Sequence, residues 1–254
     1  MDKNHFLINL EDIHFSYTGG KAVLQGVYFQ LREGERIGLI GPNGGGKTTL
    51  FQVIMGLLRP TAGKIEILGE KREEEKDFLS VRQSIGLLFQ DPDDQLFSPT
   101  VLEDVAFGPL NQGKSIPEAR SIARGTLRSL GLSGFEDRVT YKLSGGEKRL
   151  VSLATVLAME PKVLLLDEPI TGLDPETTQR LIKILNDLDL AYVFISHNMD
   201  FITQTTDKVY GLLNGRIVSE EEMAPHTHVH AHGLGRLPHS HSHVHDVYSN
   251  NKKT

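Results

Sequence analysis

Gly41-Pro42-Asn43-Gly44-Gly45-Gly46-Lys47-Thr48 is the stretch on which the reading turns. Its spacing, GxxxxGK[S/T], is that of a phosphate-binding loop. Glycines let backbone N–H groups wrap a polyphosphate, Lys47 reaches the β and γ phosphates, and the Thr48 hydroxyl is a ligand for Mg²⁺. The flanks agree with this reading. Arg36 to Ile40 is a short apolar run that ends at the loop, and Leu50, Ile54, Leu57 and Leu58 then repeat at helical spacing until Pro60. Strand, loop and helix in that order aim the helix N-terminus at the phosphates.

A phosphate loop needs a metal-holding carboxylate on a neighbouring strand. Val163-Leu164-Leu165-Leu166-Asp167-Glu168 supplies one directly after four apolar residues. Asp167 is placed to hold Mg²⁺ through its hydration shell, and Glu168 to orient or deprotonate the water that attacks the γ phosphate. The alternative is a buried strand capped by two solvated acids. Val163 to Leu166 and Tyr192 to Ile195 are continuous apolar runs, as in strands buried on both faces, with a helix-like stretch from Glu176 to Leu188 between them. That alternation predicts an α/β fold with a parallel sheet. Residues 8 to 31 instead alternate in a strand-like way around Gly19-Gly20, which predicts two N-terminal antiparallel strands. Residues 64–68 and 85–89 are read as further short strands and about 100–160 as helical.

Leu143-Ser144-Gly145-Gly146-Glu147 has two local readings. Ser144 and Glu147 make a capping box for a helix carrying Leu150, Ala154 and Leu157, which needs no nucleotide. The glycine pair costs stability in a first turn unless something approaches the backbone closely, and a phosphate is such a partner.

The 254 residues, 39% hydrophobic and 24% charged, describe an ordinary globular chain with room for one large or two small domains. No apolar stretch approaches the roughly 20 residues of a membrane-spanning helix. The first twelve residues lack a secretion signal's apolar core, so a cytosolic location is expected. No cysteine is present, which excludes disulfides, thiol catalysis, iron–sulfur clusters and Cys-based zinc fingers. A net charge of −6 argues against nucleic acid as the main partner.

With these motifs in this order, residues 5 to 218 resemble an ATP-binding cassette (ABC) transporter ATPase. The resemblance implies a RecA-like P-loop NTPase core (residues 1–218) with N-terminal antiparallel strands and a helical subdomain inserted at about 91–160. It implies ATP and Mg²⁺ as cofactors, with Thr49 beside the loop residues in the nucleotide site. Leu143 to Glu147 matches the signature motif that completes the ATP site of the opposite subunit, so Ser144, Gly145, Gly146 and Glu147 join the nucleotide-binding set. Gln90 falls at the Q-loop glutamine, a catalytic and Mg²⁺-site residue linked to the membrane partner. His197 matches the switch histidine, Asp174 the D-loop at the dimer interface, and Tyr17 the aromatic that stacks on adenine, although strand alternation also accounts for Tyr17. Ile170, Thr171 and Glu147 depart from the common pattern without removing a phosphate or metal ligand. The stretch Phe89-Gln90-Asp91-Pro92-Asp93-Asp94-Gln95-Leu96-Phe97, followed by Val101 to Gly108, resembles energy-coupling-factor transporters of the cobalt and nickel type. Implied with it are a homodimer or a paired ATPase, integral-membrane transport subunits, and a peripheral place on the cytoplasmic side of the cell membrane.

Eight of the eleven histidines lie between His226 and His245, in a region (219–254) of His, Ser, Gly, Pro and charge that is read as a flexible tail. His226, His228, His230 and His232 alternate with other residues, as do His239, His241, His243 and His245. An extended chain sets alternate residues on one side, and imidazole suits Ni²⁺ or Co²⁺. A solvated low-complexity tail is the alternative. Among other functions, a vitamin or zinc importer or an exporter keeps the cassette and changes the cargo. A soluble ATPase of nucleic-acid maintenance with a metal-storing tail is the reading of a different class. The stretch between Lys47 and Ser144 leaves no room for the coiled-coil arm of chromosome proteins, and a translation-type protein needs two cassettes.

Overall fold

A computed structural model of the chain describes residues 6–219, 222, 226–230 and 239–243. The sequence readings at Met1–His5, His232 and His245 lie outside the described residues. At the other six tail histidines only the backbone is described.

The chain opens with β1 (Phe6–Ser16) and β2 (Ala22–Arg32), paired antiparallel so that Leu10 faces Phe29 and Phe15 faces Leu24. Next comes β3 (Arg36–Ile40), and after the glycine loop α1 (Lys47–Ile54). This helix stops short of Pro60. It closes on Gly56, left-handed at φ +66°, whose N–H donates to Val53 O (3.0 Å) while the Leu57 N–H donates to Gln52 O (2.8 Å); Arg82 then takes the carbonyls just past the helix, Met55 O (3.1 Å) and Gly56 O (2.9 Å). The chain continues through β4 (Ala62–Ile67), β5 (Glu70–Lys71), α2 (Phe78–Ser84) and β6 (Ile85–Leu88). Three helices follow: α3 (Val101–Asn111), α4 (Ile116–Ser129) and α5 (Gly145–Leu157). The chain then returns to the sheet with β7 (Val163–Asp167), α6 (Pro175–Asp187), β8 (Ala191–Ile195), α7 (Met199–Thr205), β9 (Lys208–Leu213) and β10 (Arg216–Ser219). Beyond them, β11 (His226–His230) and β12 (His239–His243) pair antiparallel within the stretch read as a tail.

Two sheets result. One is antiparallel, in the order β2-β1-β4-β5, and the other runs β10-β9-β3-β8-β7-β6, parallel throughout except at β9–β10. The carboxylate strand β7 is therefore not the immediate neighbour of β3, as the sequence suggested, because β8 lies between them. Every residue of β7 and β8 is buried, as apolar runs in the middle of a covered parallel sheet must be. At roughly 1.5–3 kcal/mol per fully buried aliphatic side chain, Val163 to Leu166 is a strongly anchored platform for the two acids that follow. The helices α3, α4 and α5 build a separate apolar core from residues such as Val105, Ala123, Leu127 and Val151. Almost every face of α5 is buried, since it packs on that core and on the sheet side through Leu153 and Val156.

Candidate functional site

The phosphate loop is shaped by its own chain. Gly46 is the left-handed N-cap of α1 (φ +99°), and a Cβ there would lie 2.9 Å from Val23. At Gly41 a Cβ would lie 2.5 Å from the Leu212 carbonyl oxygen. Pro42 and Gly45 form the turn between them, the Gly45 N–H donating to Pro42 O, while Asn43 and Gly44 are exposed at the tip. Lys47, only 7% exposed, donates from Nζ to Gly41 O (2.8 Å) and Pro42 O (2.9 Å). Burial pushes its ammonium pKa down, against the opposing pull of Glu168 and Asp167.

At the same end of the sheet, Thr48 Oγ1 donates to Asp167 Oδ2 at 2.7 Å, bringing a hydroxyl from α1 to a carboxylate from β7. Burial raises the Asp167 carboxyl, with the Thr48 bond and the Lys47 charge opposing it. This pair of hard oxygen donors beside a lysine fits Mg²⁺, which takes a few protein oxygens and keeps the rest of its shell as water and phosphate. Glu168 is the next residue, at φ +45°, a backbone conformation a glutamate adopts only under constraint. Its N–H is fixed to Ile195 O at 3.0 Å, and its side chain, 13% exposed, sits with Oε1 3.3 Å from His197 Nε2. The Thr171 hydroxyl donates to Oε2 at 3.3 Å. Burial raises the Glu168 carboxyl, and His197 is the first of the groups that oppose the rise. Tyr17 shares a 3.1 Å hydrogen bond with Thr49 and meets Phe15 edge-on, ring centroids 4.9 Å apart, which leaves its face half-exposed beside the loop. Lys47, Thr48, Asp167, Glu168 and His197 thus come together.

The remaining residues form a second region. Ser144 caps α5, accepting from the Glu147 N–H at 3.3 Å, while Glu147 accepts from the Ser144 N–H at 2.8 Å and pairs with Arg138 at 2.6 Å. The backbone bond to Ser144 is the main cause holding the Glu147 carboxyl below its ordinary range. The glycine pair divides in two. A Cβ on Gly146 would press on Thr177 of α6 at 3.1–3.2 Å, so this glycine is explained within the chain; a Cβ on Gly145 would meet nothing within 4 Å. Asp174 caps α6, accepting from the Thr177 N–H at 2.9 Å and the Thr177 hydroxyl at 2.6 Å. Gln90, exposed, lines a cleft of about 460 Å³ with Gly145, Arg149 and Thr171–Leu173, whose walls include no residue of the phosphate loop.

Residues 24–171 match the ABC transporter family. The chain belongs to that family. The energy-coupling factor transporter ATP-binding protein EcfA of Methanothermobacter thermautotrophicus is 44% identical over 218 residues, 84% of this chain and 70% of its own. Among solved structures, cbiO1 from Clostridium perfringens, part of the ABC transporter complex cbiONQ, aligns with a TM-score of 0.76 at 35% identity, covering 85% of this chain and 88% of that one. The ATP-binding cassette MJ0796, in a dimeric post-hydrolysis state bound to ADP and Pi, aligns at 0.76 with 26% identity over 83% and 96% of the two chains. An ABC cassette with these relatives is an ATPase coupled to transport, and ATP with Mg²⁺ is what the family binds.

The cassette has features that sequence reading missed. Arg149 is 2% exposed, and its guanidinium donates to the carbonyls of Phe89 and Gln90. A lone arginine among helix residues carries no sequence mark of burial; the one signal was that its neighbours Leu150, Val151 and Leu153 leave α5 little polar face. An apolar groove of about 290 Å³ runs past Met55, Leu57, Phe89, Phe97, Phe107 and Met159, with Phe97 and Phe107 in edge-to-face contact at 4.8 Å. Phe97 is 66% exposed and Phe107 45%. Phe97 lies in the loop before α3 and Phe107 on α3 itself.

Proposed function

We propose that this ABC ATPase works as a pair of cassettes driving a membrane importer of nickel or cobalt ions. In each site Gly41 to Thr49 enfolds the phosphates of ATP, Lys47 exchanging its carbonyl partners for phosphate oxygens, and Tyr17 stacks on adenine. Thr48 and Asp167, with Gln90, would hold Mg²⁺, whose chemistry there would be neutralisation of phosphate charge. Glu168, its carboxyl pKa raised by burial, takes the proton of the attacking water, and His197 orients Glu168 and the γ phosphate. Ser144, Gly145, Gly146 and Glu147 face the nucleotide of the partner cassette, with Asp174 near the junction. The support for two chains per site is the dimeric state of MJ0796, together with the open Gly145 face, where a Cβ would meet nothing within 4 Å. Closed and open pairs differ in ATP affinity, and that difference supplies the work. The groove at Phe97 and Phe107 accepts a helix of an integral-membrane subunit, which seats the cassette on the cytoplasmic face; among the described residues no helix is long and apolar enough to cross a membrane.

Beside the resemblance at Phe89 to Phe97, the observation that carries the cargo assignment is the register of β11 and β12, which sets His226 opposite His243, His228 opposite His241 and His230 opposite His239. Opposed imidazole-bearing positions suit a borderline transition metal. Ending the chain after Glu222 tests it. The expected result is unchanged basal ATPase activity and loss of stoichiometric Ni²⁺ or Co²⁺ binding by equilibrium dialysis, with binding in the full chain fading below about pH 6.5 as imidazole protonates. Full metal stoichiometry in the shortened chain would remove the histidines from the assignment.

A further inference from the structure

Among the described residues Arg149 is the largest fully buried side chain, and no carboxylate lies within ion-pair distance of it, the charges of Asp91 and Asp167 acting on it only from farther off. Its guanidinium has two consecutive carbonyls as partners, Phe89 O at 2.6 Å and Gln90 O, and its Nε has none. A guanidinium buried this way is costly, and a well-packed apolar residue in its place is commonly neutral or stabilising. Stability is therefore a poor reason for the arginine. What it secures is direction: two adjacent carbonyls aimed at one planar donor fix the peptide between them, and with it the point from which the Gln90 side chain leaves.

The same segment is fastened to α5 twice more. Gln95 Nε2 donates to Ser152 O and Thr155 Oγ1, each at 2.8 Å, while its Oε1 accepts from the Phe89 N–H at 3.2 Å. Lys148 pairs with Asp93 at 2.5 Å. Residues 89–95 leave the sheet at the end of β6, yet their polar ties run to successive turns of the helix that Ser144 caps. We propose that Arg149 is a positioning residue that makes the Phe89–Gln90 segment and the start of α5 one body, so that Gln90 and Ser144 of a chain shift together. This rests on the proposed function in one respect: if Gln90 serves the chain's own nucleotide and Ser144 the partner's, the tie carries news of one site to the other.

The test uses the full chain, whose lack of native cysteine allows spin labels at Asp94→Cys and Lys142→Cys, both exposed positions. With Arg149 present, the distance distribution is expected to be narrow and to remain so when ATP is added. In Arg149→Met it broadens, while the melting temperature stays within about 4 °C of the parent, the shift that ~1 kcal/mol gives at this size. Without labels, Arg149→Met should lower kcat about tenfold or more with KM for ATP within about threefold, and Arg149→Lys, which keeps the charge and one carbonyl bond, should recover part of that loss. A distribution that stays narrow in Arg149→Met overturns the proposal, as does a loss of kcat that tracks unfolding in both variants. A broadened distribution with kcat unchanged leaves the tie standing and takes Gln90 out of the reaction, so the two readings fail separately.

Discussion

The phosphate-loop end of the sheet and the start of α5 are both glycine-rich helix N-termini, yet the chain treats them in opposite ways. Around α1 the backbone is crowded by Val23 and Leu212, Lys47 is already bonded to the loop it will serve, and Thr48 already meets Asp167. Around α5 the cap is satisfied by Ser144 and Glu147, but the Gly145 face opens onto a cleft that holds none of the loop. One helix end is a finished socket and the other an unfinished wall. The lesson is that a capping box and a ligand-facing N-terminus are compatible: the cap satisfies the helix without filling the face.

The sharpest way to break this contrast is in the finished socket. Glu168→Gln should cut phosphate release by about 10²–10⁴ while ATP binding persists and the protein runs as a dimer with ATP in gel filtration; near-normal turnover would remove Glu168 as base. Lys47→Ala should weaken ATP binding by about tenfold or more, the loss of a charge-assisted contact worth roughly 1.5–3 kcal/mol, read by fluorescent-nucleotide titration. Unchanged affinity would show that the lysine's bonds to Gly41 and Pro42 are its whole task.

The unfinished wall gives smaller and more discriminating effects. Gly145→Ala should lower ATPase activity while raising the melting temperature slightly, because alanine is favoured over glycine in a helix by up to about 1 kcal/mol. Gly146→Ala should instead destabilise by about 1 kcal/mol through Thr177, a loss that Thr177→Ala relieves. If Gly145→Ala is fully active, no ligand approaches that face. Smallest is the dependence on pH. Burial raises both Asp167 and Glu168, so the nucleotide-free protein binds more protons than its unfolded chain between the ordinary carboxylate range and the raised values. Stability should fall as pH climbs through that window, and Glu168→Gln should melt slightly higher than the parent at neutral pH. The acid limb of kcat should lie above the ordinary glutamate value of 4.5; a limb at or below it would place the base elsewhere.

Much of this was legible before any coordinate. Apolar runs at Val163 and Tyr192 gave the buried strands because nothing else tolerates burial on both faces, and the loop spacing fixed its own flanks through turn and helix chemistry. Strand order was not legible: the placing of β8 between β3 and β7 is decided by packing distant in sequence, and the spacing of Lys47 and Asp167 says nothing of it. Asp174 was read as an interface residue, and its bonds to Thr177 show the local task that an Asp before Pro175 also signals. Arg149 and the positive φ of Glu168 were invisible because burial of a cation and strain at one residue depend on what surrounds them. The groove was hidden for a related reason: Phe97 sits in the loop before α3 and Phe107 on the helix, and the two rings meet only in the fold.

That groove has a consequence for the cell's bookkeeping of its subunits. Phe97 and Phe107 present aromatic surface to water in the lone chain, and contiguous apolar surface promotes association with whatever is at hand. In the assembly proposed above, where a membrane subunit would cover that surface, chains made in excess of the subunit would be the ones to clump or be degraded. Matched synthesis, through shared transcription or rapid turnover of the surplus, is the condition under which such a surface is safe to carry, and the abundance of the cassette should follow that of its membrane partner.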